Sequence, residues 1–129
     1  MDRPKRVFCS HRGVDKAEVE AFARRLREAG IDAWFDQWEI AAGDDIVASM
    51  NRGLDACDVG LLFFSSKPWP GKWFDNELSS LVVRRNEDGV RLIPVTVDAD
   101  VTLPALLRPL ARRGIDQFEQ IVDAITGVS

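Results

Sequence analysis

The chain has 129 residues, 46% of them hydrophobic and 29% charged, and a formal net charge of −4. That length carries one globular domain with its own core and is too short for two. The longest apolar run, VGLLFF, is strand-sized and too short to span a membrane, and the mixed, mildly acidic charge argues against a nucleic-acid grip as the main activity.

At the N-terminus, MDRPKRVF has basic residues with no apolar stretch behind them, which is not a secretory signal. RVFCS (6–10) reads as a first strand ending in the polar turn HRG. From Val14 to Ala29, Val19, Phe22, Ala23 and Leu26 recur at helical spacing, and Gly30 supplies the stop. IDAWFD (31–36) alternates as a second strand and leads into a polar loop, QWEIAAGDD (37–45). A helix then runs from Asp45 to Ala56 with Ile46, Val47, Met50 and Leu54 on its apolar face, and Asp44 and Asp45 serve as its N-cap. DVGLLFFS (58–65) is a continuous apolar strand of the kind buried on both faces. After a Pro/Gly-rich approach (67–72), KWFDNELSSL opens a helix over 73–86 whose far end, RRNEDG, is solvated. RLIPVTVD (91–98) is a further strand, and its Pro94 suggests a place near an edge or a bulge. GID, after LPALLRPLARRG, reads as a short fifth strand, and FEQIVDAIT closes the chain as a helix. Cys9 and Cys57 lie in apolar contexts without metal-type spacing and read as reduced core thiols of a cytoplasmic protein. His11 is the one histidine, which leaves no histidine-based metal site.

Strands alternating with helices specify a parallel sheet covered on both faces. The expected architecture is a flavodoxin-like α/β sandwich of three layers, five strands in the order 2-1-3-4-5, with residues 1–129 forming one domain. In such open sheets ligands bind beyond the carboxyl ends of the strands, where the strand order reverses. Here that point lies between the first and third strands, at SHRG (10–13) and the approach to the helix over 73–86.

That helix presents an unusual shoulder. Phe74, Leu78, Leu81 and Val82 form its buried stripe, and at about 100° per residue Trp73 and Glu77 fall side by side at the stripe's edge. Glu77 lies near the helix start, so this shoulder is expected to face the crevice rather than bulk water. A dinucleotide fingerprint and a P-loop are both absent, Ser65 stands where a phosphoacceptor aspartate would end strand three, and no serine or cysteine has a base partner implied by spacing. One half-covered carboxylate, Arg12 and aromatics remain. That set suits breaking a bond with a good leaving group, such as an N-glycosidic bond to a pyridinium base, with the carboxylate stabilising positive charge on a sugar. Ordinary O-glycoside hydrolysis generally requires two carboxylates.

RVFCSHRG, AWFDQWEIAAGDDI, DVGLLFFS, WFDNEL and RLIPV, in that order and spacing, resemble the successive boxes of the Toll/interleukin-1 receptor (TIR) domain family over nearly the whole chain. The resemblance implies the flavodoxin-like fold reached above. It also implies, for the bacterial NAD-cleaving branch, release of nicotinamide from NAD+ to leave ADP-ribose or a cyclised form, with no further cofactor and no metal. Trp73 to Glu77 matches the family's W-x-x-x-E pattern, whose glutamate carries catalysis. Arg12 and Gly13 match positions that contact NAD+ after the first strand, and Ala41 aligns with another substrate-side position. The family often has an acidic residue at that last position, so alanine leaves at most a backbone contact. Other TIR domains are adaptors that self-associate without chemistry, and a nucleoside deoxyribosyltransferase shares the fold and a nucleophilic glutamate. Both stand as alternatives.

Several residues carry two readings. Glu77 favours a helix N-terminus as a surface residue also does, and Trp73 serves equally as core edge or as a stacking surface for substrate. Arg12 is a loop cation or a phosphate or ribose contact, Gly13 a turn residue or a close approach to ligand, and His11 a structural or solvent-facing group before a substrate contact. Trp34 reads as core. Trp38, Ile40 and Gly43, with Trp69, are candidates for a self-association surface between TIR domains, which is expected to control activity. Arg84 would add positive charge one heptad past Glu77. A further expectation is a restraining module, C-terminal to Ser129 or on a partner protein, in a bacterial antiphage setting.

Overall fold

Strict alternation along the strands sorts their side chains onto two faces of one sheet. In a computed structural model, which describes residues 4–11, 13–67, 83, 87–103 and 107–127, the strands are β1 (Arg6–Ser10), β2 (Asp32–Trp34), β3 (Val59–Phe64), β4 (Arg91–Thr96) and β5 (Arg113–Gly114). They pair in parallel in the order β2-β1-β3-β4-β5, as expected. On one face, Val7 and Cys9 of β1, Val59, Leu61 and Phe63 of β3, and Ile93 and Val95 of β4 form a cluster with two helices. These are α1 (Lys16–Glu28), which contributes Val19, Phe22, Ala23 and Leu26, and α4 (Phe118–Thr126), which contributes Phe118, Ile121 and Ile125. On the other face, Phe8, Leu62, Phe64 and Leu92 meet Leu54 of α3 (Ile46–Ala56) and the irregular chain at Val101, Leu103 and Leu107. Each large apolar side chain so covered contributes about 1.5–3 kcal/mol of transfer free energy. β3 is buried at every position, which accounts for its unbroken apolar run.

The local signals behave as their chemistry requires. Gly30 closes α1 in the left-handed region (φ 84°). Asp45 caps α3 by accepting from the Ala48 amide at 2.9 Å, whereas Asp44 is not part of the cap. Pro94 lies inside β4, between β3 and β5, and not on an edge strand. Its position costs no hydrogen bond. The Arg91 and Val97 amides donate toward β3, so alternation turns residue 94 toward β5, and the β5 pairing begins only opposite Val95. The fifth strand falls one residue earlier than GID, at Arg113–Gly114.

Two further expectations are corrected. Residues 13–15 form a 3₁₀ turn ahead of α1, so the α-helix starts at Lys16. The second strand stops at Trp34, and a short helix, α2 (Asp36–Glu39), opens what the sequence suggested was a polar loop. Phe35 is fully buried and Trp38 folds back onto it, ring centroids 5.0 Å apart, which pulls the chain into a helical turn instead of letting it run on extended. Helix 73–86 lies outside the described residues except for Val83, which is helical and half exposed. Cys9 and Cys57 are both free and buried, and burial pushes the Cys9 thiol up to about 12, against a smaller opposing pull from Arg27.

One close approach fixes how α3 meets the sheet. The Trp34 ring stacks on Phe8 (4.6 Å, 14°), and a Cβ placed on Gly53 would come within 2.8 Å of the indole. Ordinarily, replacing a helical glycine by alanine stabilises by about 1 kcal/mol. Here Gly53→Ala is expected instead to destabilise by about 1–3 kcal/mol, because the indole is held against Phe8 and cannot yield freely. Urea denaturation of the variant checks this, and a gain in stability would show that the α3–Trp34 contact is loose.

Candidate active site

The carboxyl ends of β1 and β3 lie side by side at the centre of the sheet, where the strand order reverses. Ser10, the last residue of β1, and His11 just past it are buried. The His11 ring stacks on Phe35 (5.1 Å, 14°), with Nδ1 3.4 Å from the Cys9 carbonyl and Nε2 3.8 Å from Asp36 Oδ1. The Asp36 carboxylate also lies 3.6 Å from Lys16 Nζ, so His11 and Lys16 together tie the start of α2 to β1 and α1. Burial lowers the His11 pKa below its ordinary 6.5, opposed by the Asp36 charge, and the imidazole is therefore neutral at pH 7. His11 is thus a structural group, facing away from solvent. Gly13 follows in the 3₁₀ turn, and Asp15, fully buried, ends it.

Beyond β3 the chain is tied in three directions. The Ser66 amide and hydroxyl donate to the two Asp98 carboxylate oxygens (2.9 and 3.0 Å), joining this end to the segment after β4. The Lys67 amide donates to Ser65 Oγ at 3.3 Å. Lys67 Nζ crosses to the start of α1 and the 3₁₀ turn before it, 3.2 Å from Glu18 Oε1 and 3.5 Å from the Val14 carbonyl. The Glu18 carboxyl is held below its ordinary range by a hydrogen bond from its own amide and by Lys67.

After β2, the loop is anchored rather than open. The Arg27 guanidinium of α1 lies over the Trp38 ring (4.2 Å), pairs with Glu39 (2.9 Å) and donates twice to the Ala33 carbonyl (3.2 and 2.9 Å). Trp38 Nε1 donates to Glu20 at 3.3 Å. Trp38 is consequently half-buried against the core, and it lies in α2 and not on the loop expected from the sequence. Ile40 is half-buried, and Ala41 and Gly43 are exposed. The Ala41 amide donates to Asp44 Oδ2 (2.8 Å) and its carbonyl accepts from the Asp44 amide (3.0 Å), so Asp44 closes the turn that Gly43, at φ 91°, makes possible. The backbone contact expected of Ala41 toward a substrate therefore competes with Asp44.

Of the sequence-derived site residues, Gly13 lies at the switch point and Ala41 and Gly43 on the neighbouring loop. Arg12, Trp73 and Glu77, like Trp69 and Arg84, lie outside the described residues. The sequence reading did not single out the Lys67–Glu18 pair, although Lys67 stands three residues past the end of the central strand. Among the described residues no three His, Cys, Asp or Glu side chains gather as metal ligands, and no helix is long and apolar enough to cross a membrane.

Comparison with known proteins gives a consistent family. A family model described as TIR domain matches residues 7–125. The NAD(+) hydrolase PdTIR of Paracoccus denitrificans (strain Pd 1222) is 32% identical over 93 residues, covering 71% of this chain and 31% of that protein. The 2' cyclic ADP-D-ribose synthase BtTIR of Bacteroides thetaiotaomicron is 28% identical over 89 residues, covering 68% of this chain and 31% of that one. The chain thus spans less than a third of the length of these relatives. Among solved structures, a metazoan TIR-STING receptor from C. gigas superposes with a TM-score of 0.78 at 19% identity, over 98% of this chain and 42% of the receptor; this likeness concerns the fold alone.

The single imidazole makes the site's electrostatics measurable. Its proton NMR titration is expected to have a midpoint below 6.5 in the folded protein. The unfolded chain takes up this proton near the ordinary value of about 6.5, so stability falls as pH drops from there toward the folded midpoint. His11→Gln should flatten that slope in urea melts between about pH 7.5 and 5.5. A folded midpoint above 6.5 would mean that Asp36 outweighs burial.

Proposed function

This chain belongs to the TIR domain family, and we propose that it is an NAD+ glycohydrolase or ADP-ribosyl cyclase in which Glu77 is the essential carboxylate. The observation that carries this reading is the family match over residues 7–125 together with relatives named as NAD(+) hydrolases and cyclic ADP-D-ribose synthases. The W-x-x-x-E spacing of Trp73 and Glu77 supplies the residue.

The chemistry needs few groups. The bond between nicotinamide nitrogen and ribose C1′ breaks heterolytically, and its electron pair returns to the pyridinium nitrogen. Nicotinamide leaves as a neutral base, so no general acid is required. Positive charge develops on the ribose, and Glu77 stabilises it while accepting hydrogen bonds from the ribose hydroxyls. Water at C1′ gives ADP-ribose, and an internal hydroxyl gives a cyclic product. Arg12 and Gly13 hold the phosphate–ribose portion after β1, and Trp73 stacks on the substrate or supports Glu77.

We propose further that self-association switches the activity on, with Ile40, Gly43 and the solvent-facing part of Trp38 meeting a neighbouring TIR domain. NAD+ cleavage in the cytoplasm drains the cell's own cofactor, so a regulatory sensor or partner is expected to restrain it, in keeping with a bacterial antiphage role.

Glu77→Gln is expected to fold normally and to lose nicotinamide release by about 10²-fold or more. A folded variant with wild-type turnover would remove Glu77 from the mechanism. Protein that binds other TIR domains but never liberates nicotinamide would be an adaptor, and turnover of deoxynucleosides with NAD+ left intact would point to a deoxyribosyltransferase. Specific activity is expected to rise with protein concentration, and a flat dependence across several decades would dismiss self-association as the switch.

A further inference from the structure

Lys67 is placed where neither the sheet nor the helix needs a cation. The end of β3 is already tied down by the two Ser66 bonds to Asp98 and by the ladder to β1 and β4. Its ammonium instead crosses to the first turns of α1, the end of a helix at which the peptide dipoles disfavour positive charge. Its ion-pair partner Glu18 is 39% exposed and Lys67 itself 46%, and such a pair is weak and readily exchanged. The other partner is the carbonyl of Val14, the residue next to Gly13, where the proposed function has the dinucleotide approach. An ammonium has three donors, and the carbonyl and the carboxylate draw on two.

We infer that Lys67 is a substrate-binding residue that recognises the pyrophosphate of a dinucleotide, and that Glu18 is its internal stand-in for that anion. The inference rests on the proposed NAD+ site at the β1–β3 switch point. Binding exchanges the Glu18 carboxylate for a phosphate oxygen while the Val14 carbonyl keeps the ammonium aimed across the crevice. Lys67 thereby selects substrates that carry the pyrophosphate over nicotinamide nucleosides that lack it, and Glu18 sets how much of that affinity is realised. A carboxylate that competes with the substrate's own charge weakens binding, so removing it should strengthen binding.

The opposite signs of the two substitutions provide the test. Calorimetric titration of ADP-ribose into the wild type, Lys67→Met and Glu18→Gln is the measurement, with thermal melts of each protein. Lys67→Met is expected to weaken ADP-ribose binding about tenfold or more, the scale of one charge-assisted hydrogen bond, and to reduce its salt dependence. Glu18→Gln is expected to bind ADP-ribose more tightly than the wild type. Unchanged affinity in Lys67→Met, with or without a lowered melting temperature, overturns the inference and leaves Lys67 a structural strap. Failure of the wild type to bind ADP-ribose overturns it as well. Wild type that binds ADP-ribose through Lys67 and yet releases no nicotinamide from NAD+ would refute the catalytic reading while the binding role stands.

Discussion

A strand with no polar face exists only in the middle of a sandwich, and β3 is such a strand. Its burial at every position forces a layer of helix or packed chain on each side of the sheet, and parallel pairing then forces every connection to cross over one face. Right-handed crossovers on two faces reverse direction at the centre, which opens a crevice between the β1 and β3 ends. The position of the candidate site therefore follows from the hydrophobicity of Val59–Phe64, before any catalytic residue is considered. What the site residues add is chemistry at a place that packing has already created.

Around that crevice the chain is held by polar cross-links, each joining two carboxyl ends or an end to a helix. Ser66 with Asp98 joins β3 to β4, Lys67 with Glu18 joins β3 to α1, and His11 with Asp36 joins β1 to α2. They differ in burial, and burial decides their character. His11 is enclosed and holds a proton less readily than a free imidazole, whereas Lys67 and Glu18 remain in solvent contact. The first kind of link is built to stay closed, and the second can be exchanged.

The fold was legible wherever a local pattern was unambiguous. RVFCS reads as the strand it forms, Val19, Phe22, Ala23 and Leu26 give the buried face of α1, and the element order yields the sheet order. Pro94 was read for the right reason but in too simple a form, since the free side of a strand belongs to each residue and not to the whole strand. Asp36–Glu39 escaped detection because one helical turn has no period to display, and its cause, Phe35 against Trp38, is a tertiary contact. Trp38 misled for a related reason: a tryptophan in a polar stretch looks unaccompanied until Arg27, 11 positions earlier in the numbering, is found lying across it. Of the site, Gly13 and the crevice were readable from strand order, and the Lys67–Glu18 pair was not, because 49 residues separate its members.

Arg27 has a consequence for a protein whose action is proposed to depend on crowding. β2 is an edge strand of the sheet, and since the Asp32 amide donates toward β1, the Ala33 carbonyl points to the open side. Bare backbone there would template the addition of a strand from another copy. The guanidinium occupies that acceptor with two of its donors and lays its flat side on Trp38, so the border of the sheet is sealed by a charged plate. A second copy approaching this border meets no bare acceptor at Ala33 from which to add a strand.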